Sequence, residues 1–193
     1  ALGYADPKAA LRHIEALPQG LSRQAEIQRQ LLPAMLGWFT AGPNPDHALL
    51  AFRQVSEAMG RTHWYLRALR DGDAMAERLA KILSSSRYTV DLMMRAPQSV
   101  GMLADEESLR PRGRAEILAE MRASVKRHSE LEVAVQHVRA VRRRELLRIA
   151  MADLLGLIDL TRVGIGLSEL FSATIDAALE VVRRRFEWSP RIA

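Results

Sequence analysis

Apolar residues recur at steps of three and four along nearly the whole of this 193-residue chain, and nowhere do they alternate cleanly with polar ones. The first spacing lines one face of an α-helix; a half-buried strand needs the second. The pattern therefore predicts an all-α fold. Composition agrees where it bears on the point. Hydrophobic residues make up 48% of the chain but aromatic ones only 5%, so the core is expected to be Leu, Ala, Val, Ile and Met. Ala, Leu and Met favour helix over sheet. No apolar run approaches the roughly 18–20 residues that span a bilayer.

Punctuation divides the pattern. Asp6-Pro7 reads as an N-cap followed by proline at the first helical position, with Leu11, Ile14 and Leu17 as the stripe and Pro18-Gln19-Gly20 as the stop. A second helix is expected from about Ser22 to Phe39, with Pro33 kinking or splitting it. Ala41-Gly42-Pro43-Asn44-Pro45 is the clearest break, and Asp46 is the expected cap of the helix ending near Gly60. Shorter helices follow: Thr62 to Leu69, Ala74 to Leu83, one through Tyr88 and Met93, and one from Pro97. The polar stretch Asp105 to Gly113 is the expected subdomain boundary. Beyond it lie long helices through Ile117 to Val125, Leu131 to Leu154 and, capped by Thr161, Ile165 to Val182. The expected organisation is a compact short-helix subdomain over 1–104, a bundle of long helices over 114–187, and a frayed tail over 188–193.

Few residues are spaced for chemistry. There is no cysteine, which excludes disulfides and thiol catalysis within these residues. Together with an N-terminus lacking a basic and then apolar run, this fits a cytoplasmic protein. Asp71-Gly72-Asp73 has the Asp-x-Asp form of a two-metal site, but that chemistry needs carboxylates on a rigid strand. Here the pair falls between short helices and reads as a turn. Gly164-Ile165-Gly166 lacks the preceding strand and third glycine of a nucleotide loop and reads as packing glycines. The five histidines show no pair at helical metal-binding spacing. Ser84-Ser85-Ser86 reads as a helix cap, and Trp64-Tyr65 as a core anchor rather than a base-stacking pair.

Charge offers the strongest features. The formal net charge is +5, and the only lysines are Lys8, Lys81 and Lys126, so the excess is arginine. Arg142-Arg143-Arg144 and Arg183-Arg184-Arg185 stand out. Three successive helical residues sweep roughly 200° of arc. Each triplet is therefore either a solvated face with ion pairs, for example to Glu145 or Glu187, or a contact for an acidic partner. Arg144 and Arg148, four apart, could share one surface. The candidate docking residues are Arg142, Arg143, Arg144 and Arg148. A charge this modest does not favour nucleic acid.

Several phrases occur in a telling order. They are Leu2-Gly3-Tyr4-x-Asp6-Pro7, Leu31-Leu32-Pro33, Pro45-Asp46-x-x-Leu49-Leu50-x-Phe52, Tyr65-Leu66-x-x-Leu69, Leu79-Ala80-x-Ile82-Leu83-x-x-Ser86 and Arg95-Ala96-Pro97. Arg143-Arg144-Glu145-Leu146-Leu147-Arg148-Ile149-Ala150-x-x-Asp153-Leu154 completes the set. From Leu2 to Arg183 the chain resembles the bifunctional glutamine synthetase adenylyltransferase/adenylyl-removing enzymes, actinobacterial type. The likeness is to the helical segment between their two nucleotidyltransferase modules, upstream of the second. The family's catalytic motif, a Gly-Ser turn followed by paired aspartates on a strand, is missing here, so no catalytic residue carries over. The resemblance implies a non-catalytic linker or docking portion of a larger enzyme. That enzyme moves AMP from ATP, with Mg²⁺, onto a tyrosine of glutamine synthetase and removes it by phosphorolysis, under a PII-type signal protein. Its implied partners are these proteins and the flanking modules; the segment itself implies no cofactor. The alternative is a freestanding helical module whose arginine clusters bind an acidic partner or nucleic acid.

Overall fold

A computed structural model describes residues 4–17, 23–59, 62–71, 73–128 and 130–186. The expected stop at Pro18-Gln19-Gly20, the start at Ser22, the stop at Gly60 and the tail over 188–193 lie outside the described residues. Among those described, the chain is helical and carries no strand, as the periodicity requires. The chain divides into two compact units, Ala1–Leu109 with Leu154–Leu157, and Arg110–Asp153 with Ile158–Ala193.

The first unit holds α1 (Pro7–Ala16), α2 (Arg23–Ala41), α3 (Pro45–Met59), α4 (His63–Asp71), α5 (Asp73–Ser85) and α6 (Arg87–Met94), followed by 3₁₀ turns at Pro97–Ala104 and Glu107–Leu109. Helices α3 and α5 form its centre. Leu49, Phe52 and Val55 of α3 and Leu79, Ile82 and Leu83 of α5 are wholly buried. Phe39 of α2 joins them, its ring 5.9 Å from that of Phe52 and tilted by 57°. Pro33 neither kinks α2 into two elements nor ends it. Met35 and Phe39 beyond the proline are fully buried, and such packing offsets a lost backbone hydrogen bond.

Caps fall partly where the residues suggested. Asp6 Oδ1 accepts from the backbone N–H of Ala9 at 2.9 Å, and Ser86 Oγ from that of Thr89 at 3.2 Å. Ser84 and Ser85 belong instead to the last turn of α5, where both hydroxyls donate to the Lys81 carbonyl. Asp46 is not the cap of α3. That place belongs to Asn44, whose Oδ1 accepts from His47 N–H at 3.3 Å. The Asp46 carboxylate instead accepts the backbone N–H groups of Ala5 and Asp6 at 2.8 and 3.2 Å, tying the start of α1 to α3.

The second unit holds α7 (Arg114–Arg127), α8 (Leu131–Leu154) and α9 (Leu160–Phe186). One core joins Ile117, Met121 and Val125 of α7, Val138, Val141 and Ile149 of α8, and Leu170, Ala173, Ala177 and Val181 of α9. Asp159, not Thr161, caps α9: its Oδ1 accepts from Arg162 N–H at 2.7 Å, while Thr161 already lies in the first turn. Gly156 follows the end of α8 with a φ of +75°, the left-handed conformation that L side chains adopt only with strain.

The glycines of α9 divide. A Cβ on Gly166 would lie 3.3 Å from Ile149 Cδ1 and 3.4 Å from Pro111 Cβ, the close packing its sequence suggested; one on Gly164 would meet nothing within 4 Å. Replacing Gly164 by Ala should therefore raise stability by up to about 1 kcal/mol, the difference in helix propensity. Gly42→Ala should do the reverse, because its Cβ would lie 2.5 Å from Ser84 Cβ; the cost of such overpacking is about 1–3 kcal/mol. Urea unfolding of the two variants, compared at the midpoint, checks both signs.

Candidate docking surface and the buried arginine–glutamate cluster

The arginine-rich stretch of α8 holds the candidate residues, and its helical phase separates them. Glu145 points inward and is only 1% exposed. A carboxylate so placed must be neutralised or paired. Arg112, just before α7, provides most of the pairing. Its Nε and Nη2 donate to the two Glu145 oxygens at 3.1 and 2.8 Å, a two-pronged match between planar groups. Arg148 Nε donates to Glu145 Oε2 at 2.9 Å, and Arg144 approaches Oε1 at 3.3 Å.

A second carboxylate extends the cluster. Arg144 Nη2 lies 2.7 Å from both oxygens of Glu120 on α7, and Arg112 Nη2 donates to Glu120 Oε2 at 2.7 Å. Arg112 also reaches Glu116 at 3.5 Å. Three guanidinium groups thus face three carboxylates, and the cluster is formally neutral. Burial pushes the Glu120 carboxyl up, but hydrogen bonds from Arg144 and Arg112, with their charges, outweigh it and hold the group below its ordinary range. For Arg112, burial pulls the pKa down, and the bonds to Glu145 and Glu120 more than reverse this.

Of the four candidate residues, Arg144 and Arg148 are therefore engaged inside the second unit. Arg142 is exposed and Arg143 half-buried. Among the described residues, neither forms an ion pair. Arg183 is exposed at the end of α9; the side chains of Arg184 and Arg185 and residue Glu187 lie outside those described. Sequence reasoning missed Arg112 and Glu120 altogether. Arg112, Glu116 and Glu120 do follow at steps of four, the spacing that places charges on one helical face.

The remaining sequence candidates separate as follows. Asp71 closes α4 and Asp73 opens α5; Gly72 and both aspartate side chains lie outside the described set. Tyr65 is fully buried, its hydroxyl 3.2 Å from Ser56 Oγ. Trp64 stands edge-on to it and covers Gly101. The rings of His128 and His137, scattered in sequence, stack 4.1 Å apart. Burial and the charge of Arg87 lower the His47 pKa, with Asp91 opposing them. Burial and the neighbouring Asp46 push the Tyr4 phenol up to about 12. Among the described residues, no group of His, Asp and Glu is arranged to hold a metal ion, and no helix is long and apolar enough to cross a membrane.

Comparison with known proteins decides the lineage. The family model described as glutamate–ammonia ligase adenylyltransferase matches residues 76–189, more than half of the chain and including α7, α8 and α9. The chain belongs to that family. A bifunctional glutamine synthetase adenylyltransferase/adenylyl-removing enzyme of Cutibacterium acnes is 54% identical over 192 residues, covering 100% of this chain and 19% of the relative. Its Streptomyces coelicolor counterpart is 50% identical over 95% of this chain and 20% of the relative. The Mycobacterium tuberculosis one is 41% identical over 95% and 19%. The chain thus spans about a fifth of the length of these actinobacterial relatives.

Removing Glu145 would leave three arginines around a void. Glu145→Ala should cost about 3–5 kcal/mol, as for a buried pair broken from one side, whereas Arg143→Ala should stay within about 0.5 kcal/mol. Chemical denaturation of the two variants tests this. Glu120 carries a pH signature. Its pKa is lowered in the folded state, so its stabilisation is fully present above the unfolded value of about 4.3 and is lost as pH falls through the folded value. Glu120→Gln should be less stable at pH 7 and lose less stability than the parent on acidification below pH 4, read by thermal melts across that range.

Proposed function

We propose that this chain is a non-catalytic helical portion of an enzyme that transfers AMP from ATP to a tyrosine of glutamine synthetase and removes it by phosphorolysis. Its work is positioning: rigid helices hold a catalytic module or the protein substrate in register, which lowers the entropic part of a barrier without touching the reacting atoms. Family membership supports the reading, together with the relatives' printed activity and the fraction of their length spanned here. The observation that carries the docking role is the division within one arginine run. Arg144 and Arg148 are held by Glu120 and Glu145, while on the same helix Arg142 is exposed and Arg143 half-buried, and neither pairs with a described carboxylate.

In this reading ATP and Mg²⁺ act elsewhere in the longer enzyme. Glu120 and Glu145 are already saturated by guanidinium donors and offer no free carboxylate to a cation. Glutamine synthetase is the partner that Arg142 and Arg143 would meet, a PII-type protein sets the direction of the reaction, and the setting is the cytoplasm.

Co-sedimentation with unmodified glutamine synthetase tests the proposal. Saturable binding with a Kd on the order of 10 μM is expected, weakened about tenfold or more by the Arg142→Glu/Arg143→Glu pair. Binding indifferent to that pair, or no binding at tens of micromolar, would overturn the docking role and leave an interdomain scaffold.

A further inference from the structure

Helix α9 has three faces, and among the described residues of the second unit only two are accounted for. Leu170, Ala173, Ala177 and Val181, at steps of three and four, enter the core of the second unit. A charged flank carries Asp176, which pairs with Arg114, and Glu180, which receives Arg122 Nε at 2.8 Å. The third face is Leu167, Phe171, Ile175, Leu179 and Val182. Phe171 is 61% exposed and Val182 51%, and the other three are exposed as well. Steps of four, then three, keep all five on one stripe running most of the helix length. No charged side chain interrupts it.

Such a stripe is too long and too apolar to be the scattered surface leucines of an ordinary monomer. Its composition also says what kind of occupant it takes. Transient protein contacts mix charge into the patch; permanent ones resemble a core cut in half. Four-fifths of the length of the relatives lies outside the region they share with this chain. We infer that the Leu167–Val182 face of α9 is the seat of another part of the same, longer polypeptide, packed there permanently through an apolar surface of its own. The inference rests on the reading of the chain as part of a longer enzyme, but not on its binding to glutamine synthetase. The ion pairs of Asp176 and Glu180 then have a second consequence. By tying the charged flank to α7, they fix the rotation of α9 and aim the stripe at its occupant.

Thiol labelling reads the cover directly, since the chain has no cysteine of its own. Phe171→Cys and Ile175→Cys would be placed singly in the full-length polypeptide, with Arg139→Cys on α8 as an exposed control. Maleimide rates in native buffer and in urea would be quantified peptide by peptide by mass spectrometry. The expected result is native labelling slowed about tenfold or more at 171 and 175 relative to urea, but not at 139. The same variants in residues 1–193, with the helical content verified by circular dichroism, should label at all three positions without protection. Equal native rates at 171, 175 and 139 in the full-length polypeptide would overturn the inference. So would protection already present in residues 1–193. If that protection vanished on dilution, the occupant would be a second copy; if it persisted, the first unit would cover the stripe. Each outcome stands apart from the co-sedimentation result, which reports Arg142 and Arg143 alone.

Discussion

The buried carboxylate of Glu145 is the constraint on which the second unit depends. An ionised group at 1% exposure is costly to bury, and the chain meets that cost with three guanidinium groups from two separate stretches. Arg112 arrives from the segment before α7; Arg144 and Arg148 come from α8 itself. The pairing is geometric as well as electrostatic. Arg112 spans Glu145 and Glu120 at once, so the entry into α7, the middle of α7 and the middle of α8 are fixed to one another. Apolar packing of Ile117, Met121, Val138 and Val141 could tolerate a small slide along the helices, because such contacts are non-directional. A two-pronged arginine–carboxylate contact could not.

That register propagates to α9. Ala173 and Ala177 are small side chains of the bundle core with no exposure, and they let α9 lie close against α7. Close approach brings Arg114 within reach of Asp176 and Arg122 within reach of Glu180. The exposed pairs add little stability by themselves. Their effect is on orientation, because two of them along one flank oppose rotation of the helix about its axis. A core of small residues, a flank of ion pairs and an open apolar stripe are three faces of one sequence pattern read at one phase.

Much of this is legible in the sequence. The all-α class followed from period, and the long helices fell where Ile117, Leu131 and Ile165 mark them. What failed was local and electrostatic. Asp46 and Thr161 have the sequence signature of caps, because both precede apolar runs. The backbone instead selected Asn44 and Asp159, which sit where a short side chain reaches the N–H of the third helical residue. Asp46 was free to bind the start of α1 some forty residues away, a pairing no local pattern encodes. Pro33 is expected to kink or split α2, and the helix runs through it as one element, because propensity yields to burial when Met35 and Phe39 are anchored behind it. The arginine cluster was half legible. Glu145 was visible as a neighbour of arginines, yet its burial depends on α7 and on Arg112, which lie 33 and fewer residues upstream.

The arginine run of α8 shows why residue type alone cannot assign a surface. Arg142, Arg143 and Arg144 are chemically identical and consecutive, but each turns about 100° from the last. Phase gives each a different neighbourhood, and the carboxylates of another helix then decide which is spent internally. Glu120 takes Arg144; no described carboxylate takes Arg142 or Arg143. The cluster counts three positive and three negative groups, so it adds no field of its own at a distance. Whatever positive potential α8 presents to a partner therefore comes from the arginines left out of it. The same carboxylates that stabilise the bundle thus leave the exposed Arg139 and Arg142 and the half-buried Arg143 outside the cluster, and a change at Glu120 would release Arg144 from its ion pair without touching any of the three.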